Sequence, residues 1–485
     1  MTDSMVTLLT MTLYMGVCLV LGGIAWRRTR SLDDFILGGR SLGSWVTALS
    51  AQATDMSGWL LMGLPGLAYA SGFDSVWLLL GLVAGTWLNW RFVAAPLREA
   101  TERFGNALTL PDYLEYRFDD RSHRLRALSA IVILLFFIFY TSSGFVAAGR
   151  LFEALFEIPY IEAMLWGTAA MLAYTFLGGF LAVSWSDVLQ GTLMFFTLVL
   201  VAILGVSIAG GIEATFTRLE SLDAQLLDPF VADDGATLGW VGIVSLLAWG
   251  LGYFGQPHIL ARFMAARSAL HITVARRVAM GWVVTVLVAA VVVGLSARLV
   301  LPIELSGPDT EKVFIVMSTT FLPPIFAGIC LAGVMAAIMS TASAQLLVAS
   351  SALANDLYRS LWRRDASQAE LLWVGRVAVL LIASLAMWLA RNPDNTVLSL
   401  VAWAWAGFGA AFGPVVILSL YWGGMTRAGA LAGILAGGAT VVLWKQLAPL
   451  GGVFTLYELV PGFLLSAAAI MLTSRLTGRQ TGDPS

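Results

Sequence analysis

Long uncharged apolar stretches alternate along this chain with short charged ones. The uncharged runs cover 4–26, 127–149, 163–186, 188–212, 235–261, 313–355 and 395–426. A helix rises about 1.5 Å per residue, so roughly 20 apolar residues cross a hydrocarbon core of about 30 Å. Every one of these runs is long enough. Runs and charge clusters together predict thirteen helices, at about 5–26, 42–72, 75–97, 127–155, 160–179, 184–209, 238–258, 273–299, 313–356, 372–391, 396–422, 428–447 and 454–474. The ninth is too long for one span. Pro323-Pro324 divides it into an external segment over 313–322 and a crossing from about 325. The pattern is that of an all-α polytopic membrane protein, with 1–485 as a single integral membrane domain.

Composition agrees. Of 485 residues, 59% are hydrophobic and 12% charged, against roughly a quarter charged in soluble domains. Mean hydropathy is +0.83. The 28 basic and 30 acidic residues nearly cancel, which excludes a nucleic-acid footprint, and the apolar content excludes disorder. Arg27, Arg28 and Arg30 follow the first run instead of preceding it, so that run reads as a span and not as a cleaved leader. With the N-terminus outside, only Arg150, Arg218, Arg298, Lys312, Arg391 and Lys445 of the 28 basic residues face outward. The bias predicts an N-terminus outside and a C-terminus in the cytoplasm. The outer loop around 210–237 is acidic (Glu213, Glu220, Asp223, Asp228, Asp233, Asp234) and reads as a solvated loop. On the inner side, Thr109-Leu110-Pro111-Asp112 predicts the start of a short amphipathic helix on the membrane face.

Missing residue types narrow the chemistry. Lys312 and Lys445, the two lysines, do not follow glycine, so no phosphate loop of the G-x-x-x-x-G-K type exists, and neither is at mid-span for a Schiff base. His123, His258 and His271 fall at predicted loops or span ends, which leaves no paired haem ligands. Cys18 and Cys330 lie inside apolar runs with no metal or redox spacing. No organic cofactor is expected. An ion gradient is the simplest energy source.

One carboxylate stands out. Asp55 sits midway along the second predicted span, where a charge costs about 2.5–3.5 kcal/mol even on the lenient insertion scale. An internal salt bridge is the structural alternative to a functional role, but no Arg or Lys at mid-span offers itself. Gly58, Gly63, Pro65 and Gly66 weaken the helix around it and would free carbonyls for a small hard cation. A second interrupted span contains Trp249-Gly250-Leu251-Gly252-Tyr253-Phe254-Gly255-Gln256-Pro257. These breaks open two five-span groups, 42–209 and 238–422, of opposite sense because five is odd. That is the signature of an inverted-repeat carrier, with packing glycines as the alternative. A third element, 336–345, puts Ala337, Ser340, Thr341 and Ala344 on one helix face. Such a face suits either close helix packing or oxygen ligation of Na⁺, and spacing does not separate the two.

The residues at these places resemble the solute:sodium symporter family over nearly the whole chain. The likeness is carried by Ile36-Leu37-Gly38-Gly39-Arg40-Ser41-Leu42-Gly43, by 51–59, by Gly178-Gly179-Phe180-Leu181-Ala182-Val183-Ser184-Trp185-Ser186-Asp187, and by 250–263 and 335–345. It implies a LeuT-type fold with a 5+5 inverted repeat and extra spans at both ends. It also implies sodium ligation by the carbonyls of Ala53, Met56 and Ala337 and the hydroxyls of Ser340 and Thr341. Asp55 is implied as essential for sodium affinity, by ligation or by its field. Solute contacts implied by position are Ser57, Gly58, Trp59, Tyr140, Trp249, Tyr253 and Gly328. Arg40 and Asp187 match residues tied to cation coupling from the inner side. The branch it most resembles implies L-proline as solute. A small zwitterion fits an aromatic wall with polar helix ends, although any one of these aromatics taken alone reads better as core packing, an order the resemblance reverses. Pantothenate, a monocarboxylate, a sugar or another amino acid are the alternatives that keep the mechanism. A sensor or channel on the same bundle is the alternative that changes it, and the tail after Leu472 is too short for a signalling domain.

Overall fold

The protein is described from a computed structural model covering residues 3–26, 36–177, 180–232 and 235–478. Arg27, Arg28, Arg30, Gly178, Gly179, Asp233, Asp234 and Arg479, used above for orientation, motif or loop charge, lie outside these residues.

The described residues are helical, with two isolated β-bridges, Leu42 with Ala266 and Val231 with Thr237. In chain order come α1 (Asp3–Trp26), α2 (Ser44–Asp55), a π turn (Trp59–Gly63) leading into α3 (Leu64–Ser71), α4 (Ser75–Phe92), α5 (Ala94–Arg103), α6 (Leu110–Arg117), α7 (Arg124–Phe156), α8 (Tyr160–Leu177), α9 (Phe180–Ile208) and α10 (Ile212–Leu222). The second half has α11 (Trp240–Leu247), a 3₁₀ stretch (Ala248–Gly255), α12 (Pro257–Ala265), α13 (Ala269–Val300), α14 (Val313–Phe321) and α15 (Pro324–Ser351), which runs into a π stretch (Ala352–Trp362). Then follow α16 (Gln368–Leu389), α17 (Val397–Tyr421), α18 (Arg427–Leu447) and α19 (Leu459–Gly478).

Among the described residues nine helical stretches are long and apolar enough to cross a membrane, and Met5–Leu21 and Trp240–Gly255 are shorter apolar helices. Burial sorts them into layers. The most apolar windows of α15 and α17 are 83% and 78% buried, so these helices form the middle of the bundle. α16 instead exposes Trp373, Val377, Leu380, Leu381, Leu385 and Trp388. Their spacing of three and four makes one apolar stripe, which is stable only against hydrocarbon. The ends are punctuated as the sequence suggests. The chain breaks before Pro324 at the predicted place. Thr396 and Thr426 accept hydrogen bonds from the N–H groups of Ser399 and Gly429, capping α17 and α18.

Three expectations change. The 110–117 helix starts as predicted, with Thr109 Oγ1 accepting from Asp112 N (3.1 Å), but it does not lie on the membrane face. Leu110 through Glu115 are buried and α6 packs against α7. The acidic segment is not an open loop but folds as α10 and a 3₁₀ turn, although Glu213, Glu220, Asp223 and Asp228 stay exposed to solvent as expected. Trp77 Nε1 donates to Pro229 O (2.8 Å), and a Cβ at Gly72 (φ +84°) would strike the Leu226 backbone. His258 is not at a loop or span end: α12 continues the second broken span past it and buries it completely, together with Arg262.

Candidate functional site

The first break is an arrest of helical geometry after Asp55. Met56 has φ −84° and ψ 74°, which swings its carbonyl out of the helical row, and its own N–H still reaches Gln52 O (2.9 Å). Ser57 N donates to Asp55 O (3.0 Å), and regular winding resumes only at Trp59. Ala53 to Trp59 are all buried, so the carbonyls released here have no water and must be met by protein or by an ion.

The middle of α15 meets them. Ser340 Oγ donates to Ala53 O (2.7 Å) and is 3.1 Å from Ala337 O, and Thr341 Oγ1 lies 3.4 Å from Ala53 O. Four oxygens from two elements thus converge at the end of α2. Each hydroxyl also has lone pairs to offer, and carbonyl and hydroxyl oxygens form the donor set of a hard monovalent cation. The helix face that spacing left undecided therefore carries ligand-type oxygens turned to a break.

Asp55 completes the picture. It is fully buried, and neither carboxylate oxygen has a hydrogen-bond partner. The Tyr253 hydroxyl lies beside it and is the group placed to interact with the carboxylate. An ionised carboxylate in such surroundings calls for a cation beside it, and without one it takes up a proton. Its carbonyl is engaged, accepting from Trp59 Nε1 (3.2 Å) and Tyr140 Oη (3.5 Å), so two of the expected wall residues are anchored to the break itself.

The second break supplies the opposite wall. Glycines let it form: a Cβ at Gly250 would fall on the Gly81 carbonyl of α4, and one at Gly252 on the Trp405 indole. Trp405 Nε1 donates to Trp249 O (2.8 Å), and Gln256 Nε2 donates to the carbonyls of Gly252 (3.1 Å) and Trp405 (3.2 Å). The Trp249 carbonyl is thereby satisfied from α17, and the Gly252 carbonyl by Gln256 at the end of the break itself. Trp249 then approaches Trp59 across the two breaks, with centroids 6.5 Å apart and planes at 47°, and Tyr253 meets Trp405 edge-on at 5.0 Å. Ser57 and Gly58 lie on the break, where a Cβ at Gly58 would stand 2.9 Å from Ala147 Cβ of α7.

Gly328 is not brought to this wall. It lies nine residues before Ala337 on α15, roughly 13 Å along the axis, and a Cβ there would meet Thr10 of α1 at 2.9 Å. Arg40 and Asp187 belong to separate networks. Arg40 (φ +53°) hydrogen-bonds Asn106 Oδ1 (3.0 Å), Thr101 Oγ1 (3.2 Å), Met264 O (2.7 Å) and Ala107 O (2.7 Å), tying three segments of the chain together. Asp187 Oδ2 accepts from Ser50 Oγ (2.7 Å) and pairs with Arg262 (3.5 Å), whose Nε also reaches Ser50 Oγ (3.2 Å), all fully buried. Arg262 also lies 5.0 Å from the Phe180 ring centroid.

Sequence reasoning missed Arg262, Ser50, Trp405 and Gln256. For Arg262 a signal existed: it falls inside 250–263, the stretch that also holds the second break. Trp405 had none, being one tryptophan in a long apolar run.

Residues 35–437 match the family model described as "Sodium:solute symporter family". The chain is 50% identical over 474 residues to the "Sodium/proline symporter" of Salmonella typhimurium, covering 97% of this chain and 93% of that protein. It is 50% identical, with the same coverage, to the protein of the same name from Escherichia coli, and 48% identical to the "High-affinity proline transporter PutP" of Bacillus subtilis over 95% of this chain and 96% of that one. A solved structure of a Na⁺-coupled sialic acid symporter in a substrate-bound, outward-open state is similar with a TM-score of 0.80 at 20% identity, covering 97% of this chain and 98% of that one. The nucleobase-cation-symport transporter Mhp1 is similar with a TM-score of 0.55 at 15% identity, covering 91% and 95%. These two bear on the fold alone. With the match extending through both broken spans and the helix that faces them, the chain belongs to the sodium:solute symporter family.

Proposed function

We propose that this protein couples inward flow of Na⁺ to uptake of L-proline by alternating access, as a carrier and not an enzyme. The observation that carries the reading is the unpaired, fully buried Asp55 carboxylate at a break whose freed carbonyl is met by Ser340 and Thr341. Names borne by relatives about half identical over nearly the full chain support proline as the solute.

Sodium, the cargo ion, would be held by the carbonyls of Ala53, Met56 and Ala337 and the hydroxyls of Ser340 and Thr341, within the field of Asp55. Binding replaces the Ser340 and Thr341 hydrogen bonds to Ala53 and stiffens the break. That orders Ser57, Gly58 and Trp59 against Tyr140, Trp249 and Tyr253, where the pyrrolidine ring lies on the aromatic faces and helix ends meet its charged groups. One Na⁺ crossing 100 mV releases about 2.3 kcal/mol and a tenfold gradient about 1.4 more, enough for roughly 2–3 decades of accumulation at one-to-one coupling.

The corresponding topology is thirteen spans. Two inverted five-helix halves, 42–209 and 238–422, each open on the broken span, with one span before and two after. The N-terminus lies outside and the C-terminus in the cytoplasm of a bacterial inner membrane, and Arg40 and Asp187 act on the inner side. The test is labelled-proline uptake in proteoliposomes with an imposed Na⁺ gradient. Accumulation above equilibrium is expected, collapsing when the gradient is dissipated. Uptake without accumulation, or displacement of proline by an excess of an unrelated solute such as pantothenate, would overturn the reading.

A further inference from the structure

We propose that Tyr457, on the segment joining α18 to α19, is a positioning residue of the solute site: its ring backs the Trp249 indole and sets the width of the aromatic wall. The proposal rests on the reading of that wall as the seat of proline.

Trp249 stands between two rings. On one side is Trp59, 6.5 Å away and tilted by 47°; on the other is Tyr457, 5.6 Å away and only 22° from parallel. The Trp249 main chain is held through its carbonyl by Trp405, but this does not fix the two side-chain torsions that aim the indole. Gly250 follows immediately and Gly252 two residues later, and neither has a side chain to brace it. Tyr457 does brace it, and is itself fixed at both ends. Its hydroxyl donates to Ala402 O of α17 (2.6 Å) and its N–H donates to Ser245 Oγ of α11 (2.9 Å). The ring is buried and cannot turn aside without losing one of these bonds.

Tyr457 lies beyond both proposed repeats. A helix pair that looks accessory by sequence therefore reaches the wall of the site, and does so with a flat ring where any apolar residue would have filled the space. The four oxygens at the α2 break are held by other elements, so Tyr457 acts on the solute side of the site.

Initial rates of labelled-proline uptake are measured in proteoliposomes with the full chain, Tyr457→Ala and Tyr457→Phe. Tyr457→Ala is expected to raise the proline half-saturation about 3–10-fold, the equivalent of losing one aromatic pair. Its maximal rate should stay within about twofold, with the sodium half-saturation at saturating proline unchanged. Its wider wall should also favour competition by the six-membered ring of pipecolate over the four-membered azetidine-2-carboxylate. Tyr457→Phe keeps the stacked ring but frees one of its two anchors, and should shift the half-saturation less than the alanine variant does. If the alanine variant does not reach the membrane, Tyr457→Leu, which keeps apolar volume without a flat ring, makes the same test. An unshifted half-saturation and ring preference overturn the proposal, and so does a phenylalanine variant as impaired as the alanine one. Absence of proline uptake by the unaltered chain would instead overturn the assignment of proline, and this proposal with it.

Discussion

The buried pair of Arg262 and Asp187 gives the sharpest quantitative expectation. Both side chains are fully buried and their charged atoms are 3.5 Å apart, with Ser50 Oγ hydrogen-bonded to each. At an effective dielectric near 20, two unit charges at that distance attract by about 5 kcal/mol, and the desolvation of both offsets most of it. The net worth of the pair is therefore small. The cost of breaking it is not, because removing one partner strands the other charge, at about 3–5 kcal/mol. Arg262→Met keeps length and volume, and Asp187→Asn keeps shape. Each single substitution should lower the thermal midpoint of the purified protein in detergent sharply. The double variant should stand above either single one, which requires a coupling larger than the cost of one single substitution, about 3–5 kcal/mol. The check is the complete four-member cycle by thermal unfolding at neutral pH. Additive losses, with the double variant the least stable, would refute the pairing and leave Asp187 free to act alone.

Three further expectations follow from separate features. Ser340→Ala removes the hydroxyl that meets Ala53 O at 2.7 Å and should raise the sodium half-saturation of uptake by about tenfold or more; an unchanged sodium dependence would remove Ser340 from the ligand set. Gly250→Ala places a methyl on the Gly81 carbonyl and should cost about 1–3 kcal/mol by overpacking, whereas Gly281→Ala, in a helix interior with nothing within 4 Å, should leave the midpoint unchanged or raise it by the equivalent of up to about 1 kcal/mol. Asp120, in the loop between α6 and α7, is pushed up by burial. The Leu125 N–H, the Ser122 hydroxyl and N–H, and Arg427 outweigh this and hold it below the usual carboxylate value. A lowered value adds stability that is present above the unfolded pKa and is lost as pH falls through the folded one. Asp120→Asn should thus lower the midpoint at pH 7 by the equivalent of about 1–2 kcal/mol, with the gap to the unaltered chain steady to about pH 5 and closing below about pH 4. A gap that ignores pH would place the loss elsewhere.

Much of this protein was legible without coordinates because the bilayer constrains it so strongly. Every backbone polar group in hydrocarbon must be paired within its own segment, so uncharged runs near 20 residues translate directly into helices. A carboxylate inside such a run is costly enough to announce itself, as Asp55 does. Glycine and proline clusters mark where winding fails, and both breaks fall where those clusters are.

Contact between distant segments was not legible. The 337, 340, 341 and 344 face reads equally as packing or ligation until Ala53 O is found opposite Ser340. Arg262 counts as one more inner charge until α12 carries it into the core beside Asp187. Trp405 and Tyr457 are ordinary aromatics of apolar segments until their rings are found holding Trp249. Periodicity and hydropathy are properties of neighbours along the chain, and they determine the helices, their breaks and the residue too costly to be idle. Which freed carbonyl meets which hydroxyl, and which ring backs which, depends on packing between segments up to several hundred residues apart. Only the tertiary structure decides that.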